Sequence, residues 1–206
     1  MIEFQIEVDV DGVLADMDGG YTPYIIDIIP DYTEEKYITG WSMPIVAENY
    51  PEAFERVKKL WVDPEYIANL PRYERVTEGM SKLGKFCKNK AKILVHTHLL
   101  EDGAVYSSRY NWLKDLQRES KTDFDINISV GPVKKVFDNI KVKIEDCVSN
   151  LQKSNADYKF LVRRCHNRDF NESDLGECKG AFVVDSFYDA VQIIEDIDEL
   201  KGGECN

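Results

Sequence analysis

Short runs of β-branched and apolar residues recur along this chain with helix-like segments between them, and that alternation constrains the fold more than any other feature. Residues 2–10, 93–97, 124–130, 142–144, 158–162 and 181–184 read as strands, with helical spacing around 77–87 and 105–116. Strands that alternate with helices build βαβ units, and those units build a parallel sheet with helices on its faces. The last periodic segment, 186–197, has Ser186 placed as an N-cap and Ala190, Val191, Ile193, Ile194 and Ile197 at helical spacing.

Between Asp16 and Pro71 the pattern changes to helices with no convincing strand. Gly19-Gly20, Asn49 to Pro51 and Asp63-Pro64 act as breakers and starts. The division expected is a core of residues 1–16 and 72–206 with a helical cap, 17–71, inserted after the first strand. One detail conflicts with a buried parallel sheet. Ile2, Phe4, Ile6 and Val8 alternate with Glu3, Gln5 and Glu7, the pattern of a half-exposed strand. The rest of the chain overrules that pattern, which leaves Glu7 without an explanation.

A chain of 206 residues that is 43% hydrophobic can bury one core and a small inserted unit. Lys and Arg number 26 against 38 Asp and Glu, a formal charge of −12, which disfavours nonspecific binding to nucleic acid or to anionic membranes. No apolar run approaches the roughly 20 residues of a membrane span. The opening MIEFQIEVDV lacks the basic and continuous apolar regions of an export signal and reads as a strand, so a cytoplasmic location is expected. The five cysteines form no CxxC pair and are read as reduced thiols. His96 and His98 would supply half of a zinc site at most.

The segment DVDGVLAD follows the first strand and places Asp9 and Asp11 two residues apart. Residues i and i+2 of a strand share a face, so both carboxylates can reach one point beyond its C-terminal end, where parallel α/β sheets bind ligands. Gly12 permits a tight exit of the backbone. Two carboxylates held together repel unless a cation lies between them, and Mg²⁺, a hard ion with oxygen ligands, suits that place. The bland alternative is a loop in which Asp and Gly are turn formers.

DVDGVLAD resembles the first motif of haloacid dehalogenase-like phosphatases, and its wording is similar to the 5′(3′)-deoxyribonucleotidase branch. The resemblance implies a Rossmann-like parallel sheet flanked by helices, with Asp9 as nucleophile and Asp11 as general acid and base. Thr97, at the end of KILVHTH, matches the family's second motif, a hydroxyl that hydrogen-bonds the phosphoryl group. Lys135 matches the third, a phosphate-binding Lys, with Lys134 one residue away. VKIEDCVSN matches the fourth, with Asp146 as metal ligand and Glu145 where the deoxyribonucleotidases have Asp. LPRYERVTEGMSKL, SRYNWLKD and RRCHN, with Asn167, carry the likeness over nearly the whole chain.

What the resemblance implies is a Mg²⁺-dependent phosphomonoesterase acting through an aspartyl-phosphate, with the ion held by Asp9, Asp146 and the Asp11 carbonyl. Its substrate would be a small phosphate monoester, a deoxynucleoside monophosphate first. The alternatives are a polynucleotide 3′-phosphate, a small sugar phosphate, or a catalytically silent binding protein. Cap aromatics can stack on a base, and among Tyr21, Tyr24, Trp41, Phe54 and Trp61 the first choice is Trp41, beside Gly40 in a loop. Neither nucleic acid nor a membrane is an expected partner, and a homodimer remains open.

Overall fold

The computed structural model describes residues 4–40, 42–100, 103–131, 137 and 139–201. Its centre is a six-stranded, all-parallel sheet in the order β3-β2-β1-β4-β5-β6, built from β1 (Phe4–Asp9), β2 (Ala91–Leu99), β3 (Asp125–Val130), β4 (Ile140–Glu145), β5 (Tyr158–Val162) and β6 (Gly180–Val184). This is a doubly wound, Rossmann-like arrangement. The chain winds outward from β1 to β3, then returns to the other side of β1 for β4 to β6. The order reverses between β1 and β4, and the crevice beyond their carboxyl ends is where such sheets bind ligands.

Among the described residues, five helices lie between β1 and the helix that leads into β2: α1 (Met17–Ile25), α2 (Glu34–Tyr37), α3 (Pro44–Asn49), α4 (Pro51–Leu60) and α5 (Pro64–Ala68). The stretch leaves and rejoins the sheet at one place, since Asp16 N donates to Pro71 O at 2.9 Å and Tyr73 N to Leu14 O at 3.1 Å. Pro44, Pro51 and Pro64 each open a helix, where the missing N–H costs nothing. Gly19 and Gly20 do not break structure as the sequence pattern predicts; both fall inside α1. Asp16 caps that helix by accepting from Gly19 N at 2.9 Å. At Gly20 a Cβ would come 2.6 Å from the Tyr66 hydroxyl oxygen, so glycine there lets α1 lie close to α5.

The remaining helices are α6 (Val76–Cys87), α7 (Ala104–Ser120), α8 (Val148–Gln152) and α9 (Phe187–Asp196), with short 3₁₀ turns at Cys165–Asn167, Glu172–Leu175 and Asp198–Leu200. Ser186 caps α9 as its sequence predicts, accepting from Asp189 N at 3.1 Å. Helices α6, α7 and α9 pack beside one another on one side of the sheet, over Ile6, Val8, Val95, Val142, Ile144 and Phe160. On the other side, α8 and the 172–175 turn cover a smaller apolar group, Val148, Leu151, Leu161 and Leu175.

The alternation in the first strand does not mean exposure. Glu7 is buried, and its carboxylate is met from both neighbouring strands: Lys143 Nζ donates to Glu7 Oε1 at 3.1 Å, and His96 Nδ1 lies 3.0 Å from the same oxygen. His96 Nε2 in turn lies 2.8 Å from Ser129 Oγ. A buried carboxylate is tolerable when a cation and further hydrogen bonds meet it, and the strand register supplies them, Glu7 pairing with Lys143. His96 is thus a member of a polar network within the sheet, and the zinc alternative weighed for it gains no support.

Candidate active site

The end of β1 builds the site. After Asp9 the chain turns sharply, with Val10 O accepting from Leu14 N and Ala15 N, each at 2.8 Å. Gly12 sits at φ +77°, and a Cβ there would fall 1.8 Å from Asp146 Oδ2. Glycine is therefore required twice over, by the backbone and by the carboxylate against it. Gly12 O accepts from Arg164 Nε at 2.6 Å, and that guanidinium lies 3.7 Å from the centre of the Tyr73 ring.

At the switch point, carboxylate oxygens of Asp9, Glu145 and Asp146 come within 4.8 Å of one another, and all three residues are buried. Glu145 is held by its surroundings, its Oε1 accepting from Cys147 N at 3.4 Å and its Oε2 from Asn150 Nδ2 at 3.2 Å. Asp146 differs: among the described residues neither of its carboxylate oxygens accepts a hydrogen bond. Its main chain is fixed instead, with Asn167 Nδ2 donating to Asp146 O at 2.8 Å. Burial, with the Glu145 charge beside it, pushes the Asp146 carboxyl well above the usual carboxylate range.

Three buried carboxylates together, one of them accepting no hydrogen bond among the described residues and met only by the His166 ring, form an oxygen-ligand cluster that fits a divalent cation such as Mg²⁺. His166 stands nearby, its Nε2 3.3 Å from Asp146 O and 3.2 Å from Asp146 Oδ2, the latter out of line for a hydrogen bond. Burial disfavours its charge, but Asp146 and Asp18 outweigh that and raise its pKa to about 9.

Asp11 lies outside the carboxylate trio and is gripped from two sides. Thr97 Oγ1 donates to Asp11 Oδ2 at 3.2 Å, and Arg109 Nη2 to Asp11 Oδ1 at 2.6 Å. Of the residues predicted from sequence, Asp9 and Asp146 are thus brought together, with Asp11 and Thr97 joined to each other beside them. Lys135, its neighbour Lys134 and Trp41 lie outside the described residues.

A cavity of about 200 Å³ opens over these groups. Asp11, Gly12, Asp146 and His166 form its floor, while Met17, Tyr21, Ile38, Trp61 and Ile67, from the helical stretch between β1 and α6, form a wall. Trp61 Nε1 donates to the Tyr21 hydroxyl at 2.7 Å, which locks the two rings together.

Sequence reasoning missed Arg109 and His166. Arg109 had a signal: it shares the α7 stripe of Val105, Trp112, Leu113 and Leu116, all buried, and a guanidinium on an apolar stripe needs a reason. His166 had none beyond its place before Asn167.

No family model matches the chain, and no curated protein matches it. Among solved structures it is similar to a dehalogenase at 10% identity and a TM-score of 0.49, over 93% of this chain and 96% of that one. It is also similar to an L-2-haloacid dehalogenase from Xanthobacter autotrophicus, at 14% identity and a TM-score of 0.48, over 95% of this chain and 99% of that one. The same enzyme with chloropropionic acid covalently bound gives 12% identity and a TM-score of 0.47, over 96% and 100%.

Proposed function

We propose that this chain is a Mg²⁺-dependent phosphomonoesterase of the haloacid dehalogenase type that dephosphorylates deoxynucleoside monophosphates, with residues 17–71 acting as the cap. The observation that carries the reading is the buried Asp9, Glu145 and Asp146 trio, in which both oxygens of Asp146 lack hydrogen-bond donors. Beside it sits a second carboxylate, Asp11, anchored by Thr97 and Arg109.

In the proposed reaction an Asp9 oxygen attacks phosphorus and the bond to the leaving oxygen breaks, while Asp11 gives that oxygen its proton. Asp11 then takes a proton from water, which attacks phosphorus, frees inorganic phosphate and restores the Asp9 carboxylate. Bound Mg²⁺, held by Asp9, Asp146 and the Asp11 carbonyl, would neutralise charge on the phosphoryl oxygens. Lys135 is proposed to add a second positive charge. Thr97 holds Asp11 in place and can turn to a phosphoryl oxygen.

Substrate choice rests with the insert wall. The ring pair of Tyr21 and Trp61 offers flat apolar surface to a base, and a cavity of about 200 Å³ suits a small ester better than a polynucleotide. A phosphate-release screen tests the reading, with and without Mg²⁺, across deoxynucleotides, ribonucleotides, sugar phosphates and 3′-phosphorylated oligonucleotides. Deoxynucleotides should turn over fastest and only with the ion. Equal rates on base-free phosphates would remove the nucleotidase assignment, and absence of release from every ester would remove the phosphatase.

A further inference from the structure

The opposite end of the sheet carries a second opening, a groove of about 870 Å³ at the amino ends of β2 and β3, between the last turns of α6 and α7. Lys85, Lys88, Lys92 and Lys121 line it together with Asp123 and Asp125. Four cations against two anions leave a surplus of positive charge, in a chain whose formal charge is −12. All four lysines are exposed, so a ligand can reach them. Lys36, Lys58, Lys82, Lys179 and Lys201, elsewhere on the surface, each meet a carboxylate. In the groove, among the described residues, Lys85, Lys88 and Lys121 form no ion pair, and Lys92 has only Asp125, at 4.0 Å.

The walls that carry these lysines are fixed. At Gly84 a Cβ would lie 2.6 Å from Thr122 Oγ1, so glycine lets α6 take Thr122 against it, and Thr122 Oγ1 donates to Met80 O at 3.0 Å. Gln117 Nε2 holds the next turn by donating to Phe124 O at 2.6 Å. Lys121 sits at φ 54°, in the left-handed region where glycine or asparagine is the ordinary choice after a helix, and the residue placed there is a cation. Both helices end at the groove, and lysines there answer the helix dipoles. Lys92 falls outside that explanation, because it stands at the start of a strand. Beneath the lysines Ile93 and Phe124, both buried, make the floor apolar, and a low-dielectric floor strengthens the field above it.

We infer that this groove is a second binding site, for a small anion that carries several phosphate groups in a row. Its lysines come from three separate segments: the end of α6 with its turn, the start of β2, and the connection from α7 to β3. A lysine ammonium is a point charge whose donors turn to any oxygen, so lysines spread around an opening suit an extended chain of phosphates. A single phosphate would fill only a small part of this groove. A long polyanion such as nucleic acid is disfavoured, because the surplus in the groove is small and the rest of the chain is strongly acidic. The site is independent of the phosphatase reading, since no residue that lines it also lines the pocket at the Asp9 end.

The test is calorimetric titration of inorganic triphosphate, ATP, orthophosphate and a short DNA strand into the intact chain at low salt, with EDTA present so that no divalent ion draws phosphate to the Asp9 end. Triphosphate and ATP should each bind at one site, and orthophosphate about tenfold more weakly. Lys88→Gln combined with Lys121→Gln should weaken triphosphate about tenfold, the worth of hydrogen bonds to charged groups. Asp123→Asn should tighten it about threefold by removing a like charge. Lys153→Gln, an exposed lysine after α8, should change nothing. Absence of triphosphate binding, or a loss no greater in the groove variant than in Lys153→Gln, would leave the lysines as helix-end charges and overturn the site. Orthophosphate as tight as triphosphate, ATP binding without triphosphate binding, or DNA tighter than either would overturn the ligand class. Should the double variant fail to fold, Asp123→Asn decides alone, because affinity unchanged or lowered there overturns the site.

Discussion

The floor and the wall of the pocket are built by opposite means. The floor is made of polar groups at or just past the carboxyl ends of β1, β4 and β5, namely Asp9, Asp11, Asp146 and His166, where parallel strand pairing fixes the backbone. The wall is made of apolar and aromatic groups on short helices, held by their own packing: Tyr21 stacks on Tyr66 at 6.1 Å, and the Tyr66 hydroxyl donates to Met17 O at 3.2 Å. Groups that touch the reacting atoms tolerate little displacement, so they belong on the sheet. Groups that choose the leaving group can sit on elements that vary. Damage to the floor should therefore cost turnover on every substrate, and damage to the wall should cost discrimination.

The largest effect expected is that of Asp9→Asn, which should leave no Mg²⁺-dependent phosphate release while circular dichroism and thermal unfolding stay as in the parent protein. A residual rate near the parent's would mean that the floor does not supply the nucleophile. Asp11→Asn should come next, lowering kcat by about 10²–10⁴-fold, the usual worth of a general acid and base. Its loss should be smaller on an ester with a good leaving group, and an unchanged rate on poor leaving groups would take that role from Asp11.

Within the trio the two acidic neighbours should separate. Asp146→Ala should raise the Mg²⁺ concentration for half-maximal activity by about tenfold or more, and Glu145→Gln by less. The reverse ranking in a metal titration would exchange their roles. The wall is tested by Trp61→Ala, with an expected loss of about tenfold in kcat/KM on nucleotides, taking roughly 1–3 kcal/mol for a lost stack, and little on phenyl phosphate. Similar losses on both substrates would erase the distinction between floor and wall.

That distinction also marks what was legible in the sequence. The strands were, because β-branched runs follow from the sheet itself, and so was the placing of Asp9, Asp11, Thr97 and Asp146 toward the carboxyl ends of strands. Glu7 was misleading. Its burial depends on Lys143 and His96, which are distant in the chain and meet it through strand pairing. Gly20 misled for a related reason, since a glycine that lets helices approach looks like one that ends them, while Gly19 lies against the capping carboxylate of Asp16. Arg109 showed itself as a charge on an apolar stripe, but its bond to Asp11 is visible only once α7 is packed against α5.

The central claim is a phosphoryl group carried by Asp9, and trapping it is the most direct test. The protein is quenched during turnover of thymidine 5′-monophosphate with Mg²⁺ and reduced with borohydride, which converts an acyl phosphate of aspartate to homoserine, and the peptides are sequenced by mass spectrometry. Homoserine at position 9, dependent on substrate and on the ion, is the result predicted. Steady phosphate release with position 9 still aspartate, or with the modification on Asp11 or Asp146 instead, would contradict it.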